Sequence, residues 1–285
     1  KIIGQILFVT LFIFFSTLQA KSADKYNKAE NISDYFSGVL LLNQSKYKES
    51  YKHLRKLDGL EQSHLAFSSK YLYSLVNSGN FKQAYNFSKK LEKEKQDSFE
   101  TDLIIGIYHL KNSKFNISNQ YFLKAKNRKS IPIMDNYIAE TLYVWSNLKN
   151  DKLENSKLKL DQLDSRFINL KKIQNAFLHC FYNSQSTDFH FESLISGDQT
   201  DFSRYNYFHA KYLYSIGLKN KASKVIDASL KKNPRNLLLN QYKNDLVKLN
   251  NSFEFNCKKE SHVIAELLYI TANALSSQSI YYLSN

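Results

Sequence analysis

Glycine and proline are scarce in this sequence, 7 and 2 in 285 residues. Sandwiches and barrels draw their frequent turns from such residues, so a broad β architecture is disfavoured. Long helices joined by short polar loops fit better. Cysteine is limited to Cys180 and Cys257. Two such distant residues do not form a disulfide framework, although an oxidising compartment permits a bond. Cys180, inside "AFLHCFY", reads as a small buried apolar residue. Arginine is rare as well, 5 against 35 lysines, in a chain of net charge +14. Phosphate and base recognition favour the planar arginine fork, and the cations here are scattered rather than banded, so no nucleic-acid partner is expected. Lysine, asparagine, isoleucine, phenylalanine and tyrosine share A/T-rich codons, which accounts for the basic bias.

Catalytic motifs are missing too. There is no HExxH, CxxC or GxSxG pattern. His53, His64, His109, His179, His209 and His262 lie in helical pattern with no second ligand at i+3 or i+4. His190, in "DFHFESLISGD", stands beside Asp188 and Glu192. In an extended segment these three would share one side, a set able to hold zinc. No fourth ligand accompanies them, and a solvated loop is the expectation. No enzyme activity, cofactor or metal is expected.

A core is well supplied: 43% of residues are hydrophobic, with 20 Phe and 20 Tyr. The first stretch stands apart. "KIIGQILFVTLFIFFSTLQAKSA" has a leading lysine, an apolar run from Ile6 to Phe15, and small residues at Ala20 and Ala23. That order is the layout of a secretory signal peptide, with cleavage after Ala20 or Ala23. The run is about half of what a spanning helix needs. Residues 1–23 are therefore read as a leader and the mature chain as exported. The closing "SIYYLSN" reads as the edge of a longer chain.

One short segment, "SGNFKQAYNF" at 78–87, is repeated at a spacing of 34 residues. Tyr47, Phe81 and Phe115 fall in register, as do the small residues Ser50, Ala84 and Ser118. Ser45, Gly79 and Ser113 hold a turn column, and Leu57, Leu91 and Ala125 close the unit. Upstream, Gly38 and Gly106 share a column interrupted by Leu72, and Leu41, Leu75 and His109 form another. A further copy lies in "YNYFHAKYLYSIGLKNKASKVIDASLKKNP", ending at Pro234. Between them "NYIAETLYVWSNLKNDKLENSKLKLDQL" reads as a helix pair shifted by an insertion at Ile131-Pro132-Ile133, "FINLKKIQNAFLHCFYN" as a strong helix, and "SQSTDFHFESLISGDQTD" as an irregular loop. The organisation expected is a leader at 1–23, repeats at 24–130, degenerate helical repeats with a loop at 131–203, and further repeats at 204–285.

A period of 34 with two amphipathic halves and a small-residue turn resembles the tetratricopeptide repeat. Gly38 and Gly106 match that family's helix A glycine, Ala84 its helix B alanine, and Ala210, Leu213, Gly217, Ala222, Ile226 and Pro234 its remaining offsets. The resemblance implies an all-α, right-handed α-solenoid of helix-turn-helix repeats whose concave face binds a peptide or protein segment. Exported bacterial members of alphaproteobacterial type imply a non-catalytic scaffold in the periplasm. The rival expectations are a membrane-associated envelope assembly factor and an accessory domain of an enzyme lying beyond the C-terminus. A membrane surface is not the expected partner. The helix A offsets that face the groove in this family fall on Ile32, Tyr35, Val39, Leu42 and Asn43, on Ala66, Ser69, Tyr73, Val76 and Asn77, and on Glu100, Leu103, Ile107, Leu110 and Lys111; of these, Tyr35, Val39, Asn43, Tyr73, Asn77, Ile107 and Lys111 are the expected partner contacts. The Lys and Asn pair with which some members clamp a terminal carboxylate is replaced by Tyr35, Ser69 and Leu103, then Val39, Tyr73 and Ile107. An apolar floor edged by Asn43, Asn77 and Lys111 suits a segment held by side-chain burial, with asparagine bonding its backbone.

Overall fold

The computed structural model describes residues 28–195, 204–248 and 255–277. Residues 1–23, expected to be a leader, and the closing "SIYYLSN" lie outside the described residues. Among those described there are fourteen α-helices and no strand. The chain divides into two compact units, the division following Tyr108.

The first unit holds α1 (Ala29–Asn43), α2 (Tyr47–Leu54), α3 (Leu65–Asn77), α4 (Phe81–Lys93) and most of α5 (Phe99–Lys111). Within it α1 packs on α2, α2 on α3 and α3 on α4, and α1 also meets α3. Asp34, Gly38 and Leu42, four residues apart, form the buried stripe of α1. Gly38 marks a close approach of two helices: a Cβ placed there would lie 2.6 Å from Leu54 Cδ2 and 2.7 Å from its Cγ. Ser50 of α2 donates a hydrogen bond of 2.8 Å from its hydroxyl to the Gly38 carbonyl. Leu54, Leu57, Phe67, Leu72, Leu75, Ala84, Phe87, Leu91 and Ile104 form the apolar core of this unit. Leu72, which interrupts the glycine column, is seated in that core at 3% exposure.

The repeated columns occupy equivalent places. Tyr47, Phe81 and Phe115 are each the first residue of a helix. Ser50, Ala84 and Ser118 are all fully buried. The turn column is left-handed throughout, with φ of 58° at Ser45, 81° at Gly79 and 57° at Ser113. After each of these residues the next N–H reaches back to a carbonyl five positions earlier: Lys46 to Leu41, Asn80 to Leu75 and Lys114 to His109, all 2.9 Å. These are Schellman closures, which satisfy carbonyls that the helix end leaves open. They explain why residues 41, 75 and 109 align although their side chains differ. Glycine adopts that backbone freely, whereas each serine carries a Cβ penalty of about 1 kcal/mol.

The second unit continues with α6 (Phe115–Lys126), α7 (Ile133–Trp145), α8 (Leu153–Asp161), α9 (Ile168–Phe181), α10 (Thr187–Ile195), α11 (Tyr205–Ser215), α12 (Lys219–Lys232), α13 (Leu237–Lys248) and α14 (Glu260–Ser277). From α6 to α13 each helix packs on the next, and α14 returns to α7 and α9. Ile131 and Pro132 sit in the linker before α7, with Pro132 just ahead of its first residue. Pro234 follows α12 by two residues, a common place for a residue that cannot continue a helix. "TDFHFESLI", expected within an irregular loop, is helical: Thr187, Phe191 and Leu194 recur at helical spacing and are buried. Cys180 is buried as expected, but it is not free. It forms a disulfide with Cys257, at a Cα separation of 5.9 Å, and so ties α9 to the segment leading into α14. Arg204 makes two hydrogen bonds of 2.7 Å to the Glu266 carboxylate, a bidentate link from the start of α11 to α14. Gln174 of α9, fully buried, accepts from Trp145 Nε1 at 2.9 Å and donates to the Tyr137 and Thr141 hydroxyls of α7 at 3.1 and 3.2 Å.

Candidate partner-binding surface

Six of the seven expected groove residues belong to the first unit. Tyr35, Val39 and Asn43 lie on α1, Tyr73 and Asn77 on α3, and Ile107 on α5. Because α1 packs on α3, the first five stand on adjoining helices. Tyr35, Val39, Tyr73, Asn77 and Ile107 are half-buried, and Asn43 is exposed. Lys111 is exposed in the last turn of α5, past the division of the chain.

Their packing is mixed. The Tyr35 ring lies 4.9 Å from the His64 ring, and Tyr35 also packs against the core cluster. Tyr73 meets Tyr47 of α2 edge to face at 5.8 Å. Leu42, expected on the groove floor, is core at 4% exposure. Asn77 donates its amide N–H to the Tyr73 carbonyl at 2.8 Å, one turn back on its own helix. One of the two N–H donors of this amide is therefore engaged within α3. Neutral aromatic and amide groups dominate this surface. On α1 the buried Asp34 carboxylate accepts from His53 Nδ1 at 2.7 Å and from the exposed Lys56 Nζ at 3.0 Å. The His53 hydrogen bond, opposed by burial and aided by Lys56, holds the Asp34 carboxyl below its usual range.

Sequence reasoning overlooked an aromatic system joining the helix pairs of this unit. Tyr51 stacks near Tyr71, which meets Phe87 edge-on at 4.9 Å, and Tyr85 stacks on Tyr108 at 3.8 Å. The 34-residue spacing of Tyr51 and Tyr85 was the available signal. Burial pushes the Tyr71 hydroxyl up to about 12, which keeps it neutral.

The carboxylates near His190 are arranged differently from expectation. On a helix Asp188 and Glu192 are one turn apart and share a face, and His190 points elsewhere, stacking on His179 at 3.8 Å. His209 of α11 takes its place, with Nε2 2.6 Å from Asp188 Oδ1. One ligand atom from each of Asp188, Glu192 and His209 lies within 4.8 Å of the others. Lys221 of α12 already fills the cation's role, bonded to Asp188 and 2.8 Å from Glu192. Burial opposes ionisation of Asp188, yet the hydrogen bonds from Lys221 and His209 hold its carboxyl below the usual range. The cluster serves to join α10, α11 and α12. In the same unit, a cleft between α7 and α14, lined by Tyr137, Trp145, Leu267 and Thr271 among others, has room for no more than about one water.

Comparison with known protein families and with curated proteins finds no match for this chain. No helix among the described residues is long and apolar enough to cross a membrane.

Proposed function

We propose that this chain is an exported, non-catalytic scaffold of tetratricopeptide-repeat type, built as a right-handed α-solenoid, which binds a protein or peptide segment in the periplasm of a bacterium. The observation that carries the reading is the 34-residue register. The same columns that recur in sequence open a helix, enter a left-handed turn, and bury a small residue at the helix crossing. Repeats of this kind expose one helix face per unit, and recognition by apolar burial is what Tyr35, Val39 and Tyr73 offer on α1 and α3. The Cys180–Cys257 disulfide supports an oxidising compartment and hence export.

Crosslinking pull-down from native envelope, followed by affinity measurement on the recovered segment, tests the proposal. Tyr73→Ala weakens binding by about 1–3 kcal/mol if Tyr73 is an anchor, with the helical circular dichroism signal retained. Unaltered affinity, or collapse of the helical signal, means that Tyr73 serves the fold and the surface is not the binding site. Sequencing the N-terminus of the mature protein separates the exported reading from the membrane-associated one: a start near Lys21 or Asp24 supports export, and an intact leader in the membrane pellet refutes it.

A further inference from the structure

α14 departs from the order of the second unit. From α6 to α13 each helix packs on its neighbour in sequence, but α14 lies on α7 and α9, and its Glu266 is held by Arg204 at the start of α11. These are every second helix of the run. They also join one another: Gln174 of α9 is bonded to Trp145 of α7, and Phe177 of α9 meets Phe208 of α11 edge to face at 5.3 Å. α14 thus covers a face that three other helices form together. Along α14, Val263, Leu267, Thr271 and Leu275 recur every four residues and are buried, while Ser261, Ala265, Tyr269 and Asn273 recur at the same interval and are exposed. In a chain of net charge +14 the eighteen residues of α14 hold no Lys or Arg, and both of its acids meet cations of the covered face. Glu266 takes the two bonds from Arg204, and Glu260 lies 2.9 Å from Nζ of Lys149, just past the end of α7. Cys257, bonded to Cys180, stands shortly before the first residue of α14, so the helix can lift from the face without leaving its neighbourhood.

We propose that the face of α7, α9 and α11 is a helix-binding groove, that α14 is its occupant in cis, and that an acidic amphipathic helix of another protein takes the same seat by displacing it. Helix-in-groove recognition uses apolar anchors one turn apart, which is the spacing of the buried stripe of α14. The occupant already seated specifies the chemistry of its competitor. A partner helix carries apolar residues every four positions and places acids where α14 has Glu260 and Glu266, within reach of Lys149 and Arg204. A basic helix is refused, because Arg204 and Lys149 would then face like charges. The tether holds α14 at an effective concentration of about millimolar. An incoming helix therefore binds only the fraction of molecules in which α14 has lifted, and its apparent affinity falls by that fraction. α14 acts as a regulatory strap. The proposal concerns other helices than α1 and α3 and does not depend on the surface proposed there.

Fluorescence anisotropy of a labelled peptide spanning residues 260–277, titrated with the oxidised full chain, tests it. The expected result is binding to the wild type that strengthens by about tenfold or more in the Glu266→Gln chain, where the cis helix loses its charged link to Arg204 and the peptide keeps it. A peptide that itself carries Glu266→Gln binds either chain about tenfold or more weakly. Tyr73→Ala alters neither titration, which separates this groove from the first unit. Hydrogen exchange on the wild type supplies a measurement that needs no variant: amides of α14 exchange about tenfold or more faster than those of α9, through an opening that leaves α7 and α9 folded. Exchange of α14 at the rate of α9 overturns the proposal, because α14 then opens only with the whole unit. So does a peptide that binds neither chain, or binds both equally, or is lost with Tyr73→Ala. A wild-type dimer that the peptide dissociates assigns the groove to α14 of a second copy and overturns the separate partner.

Discussion

Gly38→Ala sets two effects of opposite sign against each other. Alanine is the better helix former by about 1 kcal/mol, and at an exposed helical position the change stabilises by that amount. At Gly38 the new methyl would stand 2.6 Å from Leu54 Cδ2, 2.7 Å from Leu54 Cγ and 3.5 Å from His53 Cβ. Cγ is not the free end of a flexible chain, and Leu54 is fully buried, so it has no open direction in which to retreat. Either α1 and α2 move apart, stretching the 2.8 Å bond from Ser50 to the Gly38 carbonyl, or Leu54 leaves its rotamer. Overpacking of this kind costs about 1–3 kcal/mol against the propensity gain of about 1 kcal/mol, leaving a net loss of about 0–2 kcal/mol. Urea unfolding followed by far-ultraviolet circular dichroism measures it. A double-mutant cycle with Leu54→Ala isolates the cause: Leu54→Ala alone costs about 2–5 kcal/mol, and the pair costs less than the sum because each change relieves the other. A Gly38→Ala protein that is more stable than the wild type, or strict additivity in the cycle, would refute the close approach.

Further outcomes concern the second unit, where Trp145, the single tryptophan and fully buried in α7, reports unfolding by its fluorescence. Cys180→Ser destabilises this unit by about 4–5 kcal/mol, the chain-entropy value for a link across 77 residues; an unchanged urea midpoint, or free thiols in the native protein, contradicts it. Burial, then His190 and Lys157, push the His179 imidazole down from 6.5 to about 4. Below pH 6.5 the unfolded chain binds a proton that the folded one refuses, so stability is constant above that pH and falls by at most about 3 kcal/mol as pH drops to about 4. Burial and Lys157 lower His190 as well, adding a loss of the same sign, so His179→Gln should shrink the pH slope without abolishing it. A slope equal to that of the wild type would be contrary. Gln174→Met strands the Trp145 indole N–H and costs about 1–3 kcal/mol; a neutral effect would mean that the bond is not made.

The repeat was legible because each column answers to a local requirement. Residue 79 must enter a left-handed turn, residue 84 must be small at a crossing, and residue 81 opens a helix, and these demands recur every 34 residues. What escaped depends on partners distant in the chain. The disulfide needs α14 to come back to α9, and nothing near Cys180 or Cys257 announces that return. In "DFHFE" the alternation of aromatic and polar residues imitates a strand, while the burial of Thr187, Phe191 and Leu194 that makes it helical is decided by tertiary packing. His209 then supplies the imidazole, twenty-one residues from Asp188. On the candidate surface the helical offsets fell on residues that are half-buried, Tyr35, Val39 and Tyr73. They missed that Leu42 turns into the core and that Asn77 bonds its own helix, since both depend on side-chain choices that spacing alone does not encode.

The buried amide of Gln174 also has a consequence for which neighbour pairs with which. Helices that are apolar along one face pack nearly as well after sliding by a turn, about 5.4 Å, and a chain of similar helix pairs offers many such near-misses. A slide of α9 along α7 by that distance would carry the amide away from Trp145, Tyr137 and Thr141 together. The Trp145 indole N–H and the Gln174 amide would then lie in an apolar interior without their partners, while the hydrophobic contacts changed little. Gln174 thereby acts as a registration pin, and the single place along α7 where its three bonds can form distinguishes the native alignment from its shifted copies.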